Sequence, residues 1–473
     1  MIYIHWIGIL LYATITILAM LAVLMDNRQP AKTIAWLLVL SFVPIAGIVL
    51  YFFFGQNSRR ERIISQQSID LITKRSMLEF VEQDGLNVPE SHKQTVNLFV
   101  NQTWALPFKD NEVEIFTSGY KFFLGVLLDI GKATRHIHID TYIIDDDPLG
   151  NLIADALADA VKRGVEVRVI YDDVGSWKTS NSFFRKMEEN GIMQKPFMPV
   201  RFPALTGKVN YRNHRKICVI DGSVGYIGGM NIAMRYIRGV KSTPWKDTHI
   251  RIKGAAVYGL QRAFLVDWYF VSQTLISDKK FYPHINIKPN NCIMQIVTSS
   301  PTSPWPEIEQ GYVKILLEAK KYVYIETPYF MPTEPILFAM RTAAISGTDI
   351  RLMIPFHTDA IFAEWASRSY VRQTIEAGVK VYFYREGFNH SKLLIADDTL
   401  ASCGSTNVDF RSFENNFEAN AFIYDRDLAL KLKDVFLTDI RLCDKYEDHF
   451  NTRNNNFFIR LWESLVRLLS PLM

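Results

Sequence analysis

At 473 residues the chain exceeds one typical domain and has room for two or three. A hydrophobic content of 48% and an aromatic content of 13% exclude a disordered chain, and a formal net charge of +4 argues against a nucleic-acid binder held by a dense basic face. Four widely separated cysteines (Cys218, Cys292, Cys403, Cys443) form no C-x-x-C pair and read as buried, reduced thiols.

Residues 1–25 and 33–54 contain no Asp, Glu, Lys or Arg. Each run reaches the roughly 20 apolar residues that cross a bilayer as a helix. Between them lies the polar turn Asp26-Asn27-Arg28-Gln29-Pro30-Ala31-Lys32. The pair predicts a transmembrane hairpin over 1–56. A signal peptide fits less well, because the first run lacks a basic start and exceeds the usual apolar core. Two buried core helices fit less well too, since uncharged runs of this length are uncommon side by side in soluble domains. Arg59, Arg60 and Arg62 follow the second run, whereas the turn carries only Arg28 and Lys32 against Asp26. The positive-inside bias therefore predicts a multi-pass protein of the cell membrane, with its large domain in the cytoplasm and its N-terminus on the same side.

A juxtamembrane linker over 57–111 leads into alternating helix and strand patterns. His136–Ile144 reads as a strand, Leu149–Arg163 as a helix stopped by Gly164, and Val165–Tyr171 as a strand. The second half repeats this order with Tyr322–Tyr329, Pro335–Ser346, Gly347 and Ile350–Ile354. Thr141, Gly164 and Gly191 match Thr327, Gly347 and Gly378 at offsets of 186, 183 and 187 residues. An α/β unit used twice accounts for this, with mixed sheets covered by helices and domains over 112–285 and 286–453. The segment 454–473 carries apolar residues at helical spacing with Arg460, Glu463 and Arg467 between them. It reads either as a helix docked on the core or as an amphipathic helix at the bilayer surface.

The chemistry is concentrated in two copies of H-x-K-x-x-x-x-D: His214, Lys216 and Asp221, then His390, Lys392 and Asp397. Gly228-Gly229-Met230-Asn231 and Gly404-Ser405-Thr406-Asn407 follow at the same distance from each histidine. One such match is weak, but two at corresponding places in a duplicated unit are specific. The apolar runs inside the motifs predict buried strands, on which His and Lys share a face while the Asp falls in the turn. Asp221 and Asp397 are therefore expected to hold the strand–turn geometry. An anionic phosphodiester needs cations and amide donors on its non-bridging oxygens, for which Lys216, Lys392, Asn231, Ser405 and Asn407 are the right types. One imidazole can attack phosphorus while the other serves as acid and then base.

These residues resemble the phospholipase D superfamily, and the whole chain resembles its bacterial cardiolipin synthases. Arg212-Asn213, Trp245-Lys246-Asp247-Thr248-His249, Asp409-Phe410-Arg411-Ser412-Phe413 and Asn416-Phe417-Glu418 also fit. The resemblance implies two phospholipase D-like domains packed as a pseudo-dimer. It implies phosphatidyl transfer between two phosphatidylglycerol molecules, giving cardiolipin and glycerol with no metal or other cofactor. It further implies His214 as nucleophile, His390 as general acid/base, Asp247 orienting His214 and Glu418 orienting His390. Two departures stand out: Ile232-Ala233-Met234-Arg235-Tyr236 where relatives carry Gly-Asp-Glu, and Asn389 where an apolar residue is usual.

The expected partners are phosphatidylglycerol and anionic membrane lipid, with no nucleic acid. Alternatives are a phosphatidylserine synthase, a hydrolytic phospholipase D, or a membrane scaffold with a degenerate site, which the intact His, Lys and Asn of both halves oppose. A metal site at the histidines is disfavoured because each motif places a lysine beside the would-be ligand.

Overall fold

The computed structural model describes residues 2–25, 30–43, 45–54, 80, 86–200, 210–241, 243–446 and 457–470. The first half supplies β1 (Asn111–Phe116), β2 (His136–Thr141), β3 (Glu166–Asp172), β4 (Met193–Phe197), β5 (Arg212–Asn213), β6 (Lys216–Ile220), β7 (Val224–Gly228), β8 (Trp245–Lys246) and β9 (His249–Gly254). The second supplies β10 (Ile293–Ser299), β11 (Tyr322–Glu326), β12 (Phe330–Met331), β13 (Asp349–Pro355), β14 (Lys380–Tyr384) and β15 (Phe388–Asn389). It continues with β16 (Leu393–Ala396), β17 (Leu400–Gly404), β18 (Val408–Asp409), β19 (Asn416–Tyr424) and β20 (Cys443–Lys445).

The strand order shows the duplication directly. The first sheet runs β1-β9-β7-β6-β2-β3-β4, and the second runs β10-β19-β17-β16-β11-β13-β14 with β20 added at its edge. Corresponding pairs also share direction: β2–β3 and β11–β13 are parallel, while β2–β6 and β11–β16 are antiparallel. The central strands are buried throughout, as helices on both faces require. One of those helices, Pro148–Lys162, starts where Asp147 accepts from the backbone of Leu149 and Gly150, with Pro148 at its first position. The helix Val257–Ser272 packs in a core shared by both halves, with Ile217 and Ile252 on one side and Ile296 and Leu393 on the other.

Two short parallel pairings stitch the halves together. β5 pairs with β19, matching Asn213 to Phe417, and β8 pairs with β15, matching Lys246 to Asn389. Both stop one residue short of a motif histidine.

The N-terminal region departs from the expected pair of spanning helices. Helix α1 (Ile2–Met25) is about 36 Å long at 1.5 Å per residue, enough for a bilayer core. The second apolar run forms two shorter helices, α2 (Pro30–Phe42) and α3 (Ala46–Phe54). The physical cause is in the sequence: a proline at position 44 disfavours helix at the residue before it. Among the described residues one helix, Trp6–Met25, is long and apolar enough to cross a membrane. Arg59, Arg60 and Arg62, on which the sidedness expectation rests, lie outside the described residues, as do positions 26–29 of the turn.

The helix Phe457–Arg467 docks through Val466, which joins the core of the second half, and through Glu463. Glu463 is buried against Arg372, and the Arg467 guanidinium lies 4.2 Å from the Tyr370 ring. Phe458, Leu461, Trp462 and Leu465 are left exposed on the opposite face.

Candidate active site

The two motifs meet where the halves join. β6 begins at Lys216 and β16 just after Lys392, so each histidine sits at the mouth end of its motif strand. His214 and His390 are 8% and 7% exposed, buried in the seam yet open at one edge. The halves touch directly beside them, where Thr248 Oγ1 lies 3.0 Å from Ser391 Oγ.

Each histidine is oriented by the other half, which corrects the pairing that the family resemblance implies. His214 Nδ1 lies 3.0 and 3.1 Å from the two carboxylate oxygens of Glu418, and His390 Nδ1 lies 2.7 Å from Asp247 Oδ2. The stitching strands are the cause. β5–β19 ends at Asn213 and Phe417, so the next residues, His214 and Glu418, stand opposite one another. β8–β15 ends at Lys246 and Asn389, which sets Asp247 against His390. The backbone continues each pairing, with His214 N donating to Phe417 O at 2.9 Å and His390 N to Lys246 O at 2.7 Å. With Nδ1–H given to a carboxylate, each ring keeps Nε2 as its unprotonated nitrogen; Lys392 Nζ also stands 2.8 Å from His390 Nδ1.

Both carboxylates are built in. Glu418 is fully buried and also accepts from Ser405 Oγ at 2.5 Å and Asn416 Nδ2 at 3.2 Å. Ser405 thus braces Glu418 in this arrangement. Asp247 accepts from Thr248 N at 2.8 Å. It needs Gly229 beside it, because a Cβ at that position would sit 2.0 Å from Asp247 Oδ1.

Asp221 and Asp397 do not face the seam. Asp221 accepts from the backbone N–H of Thr134, Arg135 and His136 at 2.7–3.0 Å, and Asp397 from Lys320, Lys321 and Tyr322 at 2.6–3.0 Å. Each stands at φ of 54° or 50° in the turn after its motif strand, where short polar side chains are tolerated.

Lys216 Nζ donates to His214 O at 2.5 Å and lies 5.4 Å from the Tyr142 ring, while Lys392 Nζ reaches His390 O. Burial lowers Lys216 to about 7 against the pull of Glu418, and lowers Lys392 to about 8 against Asp247 and Glu418. Burial likewise takes His214 down to about 4, opposed by Glu418 and aided by Lys216. His390 falls well below the usual imidazole range through burial, Lys392 and Lys216. Burial lifts Asp247 to about 6, with Lys392 opposing it. Burial would also lift Glu418, but His214 and Lys216 outweigh it and hold that carboxyl below its ordinary value. These shifts favour neutral imidazoles and lysines that are easily switched beside the two carboxylates.

Several contributors had no role in the sequence reading, though some lie in segments it quoted. Tyr142 stands edge-on to His214 at 5.1 Å, and Tyr236, Trp245, Tyr329 and Phe388 ring His390 at 5.3–6.4 Å. Tyr236 belongs to the segment noted as a departure, and its hydroxyl accepts from Asn231 Nδ2 at 2.6 Å. Asn389 has a twin in Asn213. Each donates to a buried acid on the matching strand, Asn213 to Asp140 at 2.7 Å and Asn389 to Glu326 at 3.3 Å. Their equal offset from the histidines was a signal available in the sequence. Asn407 is buried with its Oδ1 unpaired.

The model of the PLD-like domain of cardiolipin synthase matches residues 126–252 and 312–440, and that of the phospholipase D-nuclease N-terminal region matches residues 8–56. A cardiolipin synthase of Listeria innocua is 38% identical over 98% of this chain and all of its own. The chain belongs to the cardiolipin synthase family of phospholipase D-like proteins. The major cardiolipin synthase of Bacillus subtilis is 39% identical over 97% of each chain. Among solved structures, the phosphatidylserine synthase of Haemophilus influenzae shares the fold, with a TM-score of 0.62 and 16% identity, over 80% of this chain and 100% of its own. The family confirms the recognition of the two motifs and of the duplicated α/β fold.

Proposed function

We propose that the chain is a cardiolipin synthase, transferring a phosphatidyl group from one phosphatidylglycerol to the headgroup hydroxyl of another. The observation that carries this is the pair of Nδ1-anchored histidines, one from each half, beside two buried lysines. His214 Nε2 attacks phosphorus, and the P–O bond to the headgroup glycerol breaks as His390 protonates the departing oxygen. The phosphohistidine is then attacked by the primary hydroxyl of a second phosphatidylglycerol, whose proton returns to His390. Cardiolipin leaves and His214 is regenerated, so atoms and protons balance.

Lys216 and Lys392 take up charge on the non-bridging oxygens, with Asn231 and Asn407 as the further polar groups of this role. An arriving phosphodiester raises the pKa of both lysines and of His390, which lets His390 hold the proton it delivers. The repeat supports domains over 112–285 and 286–453 after a membrane region; within the 57–111 segment, Val96, Phe99 and Ala105 pack into the core of the second half. The arginines after residue 58 support a cytoplasmic catalytic body. The outward apolar face of the helix Phe457–Arg467 supports a seat on lipid, where water is scarce and the acceptor is held close.

Reversal is the test. Purified protein given cardiolipin and excess glycerol should return phosphatidylglycerol through the same phosphoenzyme. Formation of phosphatidic acid alone, or transfer to serine but not to glycerol, would set the proposal aside.

A further inference from the structure

We infer that the second apolar run is a re-entrant helical hairpin seated in one leaflet beside the mouth of the site, so that the chain crosses the bilayer once. Three observations place α2 and α3 side by side. The Trp36 and Tyr51 rings stand edge to face with centroids 5.5 Å apart. Fifteen residues of continuous helix would separate those positions by about 22 Å. A Cβ on Gly47 would meet Val39 O at 2.7 Å, a backbone approach that only glycine allows and that a continuous helix never makes at this separation. The reversal falls at Ile45, whose φ of 59° is a left-handed conformation that a β-branched residue adopts only when its surroundings impose it.

Length agrees with this geometry. α2 has 13 residues and α3 has 9, and the longer reaches only about 20 Å, short of a bilayer core of about 30 Å. Both ends of the hairpin therefore lie on one side. Lys32, in the first turn of α2, shows which side: its Nζ pairs with Glu414 at 2.9 Å. Glu414 belongs to the π turn Arg411–Asn415 that leads directly into Asn416 and Glu418, the carboxylate on His214. The hairpin thus enters the membrane at the rim of the site, and leaflet headgroups meet the seam there. α1 completes the arrangement, with Val23 buried near its end while most of its length is exposed for lipid. Its Ile2 end then lies across the membrane from the catalytic body. In this arrangement Arg28 and Lys32 fall on the same side as Arg59, Arg60 and Arg62, so the positive charges flank one face of the membrane together.

Sidedness tests the inference without any activity measurement. Single cysteines are placed at Tyr3, Pro30 and Lys162 of the full-length protein in cells, then labelled with an impermeant maleimide before and after permeabilisation. Pro30→Cys and Lys162→Cys should behave alike, with Tyr3→Cys opposite to both. Pro30→Cys opposite to Lys162→Cys, or all three alike, overturns the inference. In Trp36→Cys/Tyr51→Cys, a short bismaleimide should bridge the pair, as shown by mass spectrometry of the digested protein. Failure to bridge, when an adjacent-turn pair in α2 is bridged under the same conditions, overturns it as well.

Discussion

Replacing Glu418 by glutamine separates the crossed arrangement from a within-half one. The carboxylate is fully buried and lies about equally close to His214 through both oxygens, at 3.0 and 3.1 Å, so the substitution removes a charge-assisted bond with no water to replace it. Such bonds contribute about 1.5–3 kcal/mol, or roughly 10- to 150-fold in rate, and a wrong imidazole tautomer adds to the loss. The assay is single-turnover trapping of labelled phosphate with two substrates: phosphatidylglycerol, and an activated diester whose leaving group needs no proton. Glu418→Gln should slow adduct formation on His214 with both. Asp247→Asn acts through His390, so it should slow the natural lipid while sparing the activated diester. The opposite assignment, with Asp247→Asn blocking the adduct from the activated diester and Glu418→Gln leaving it intact, would refute the reasoning.

In pH profiles of kcat/KM, activity should fall below about 6 as Asp247 takes up a proton, and fall again on the alkaline side as Lys216, near 7, and Lys392, near 8, lose theirs. In kcat the alkaline limb should move to higher pH, because bound phosphate favours the charged lysines; coincident limbs would contradict this. Asp221→Ala leaves three backbone N–H groups without their acceptor and should lower stability by at least about 1–3 kcal/mol in denaturant melts, with adduct chemistry per folded molecule retained. Gly229→Ala should abolish turnover while the fold survives by circular dichroism, since its methyl displaces the Asp247 carboxylate. Prolonged chelation should leave adduct formation intact; loss restored by a single kind of divalent ion would contradict that.

The motif residues were legible because their information is local and repeated. His, Lys and Asp at fixed spacing on a strand and its turn look the same whatever the halves do to each other, and the turn role of Asp221 and Asp397 followed from alternation alone. The partner of each histidine was not legible. It is decided by two-residue pairings, β5 with β19 and β8 with β15, between segments about 200 and 140 residues apart, too short to leave a periodic signal. The bond of Ser405 to Glu418 was not legible for the same reason, since it depends on where β19 lies. The second apolar run carried its own warning. Pro44 and Gly47 interrupt a stretch whose hydropathy alone suggests a spanning helix, and charge counting passes over both.

Phosphatidylglycerol labelled in its headgroup glycerol gives the most direct measurement of the proposed transfer. Joining two such molecules keeps one headgroup glycerol as the bridge of cardiolipin and releases the other. With purified protein in bilayers, half the label consumed should appear as free glycerol and half in cardiolipin, with phosphatidic acid a minor product. Release of all the label, matched by phosphatidic acid, would contradict the transfer and leave a hydrolase.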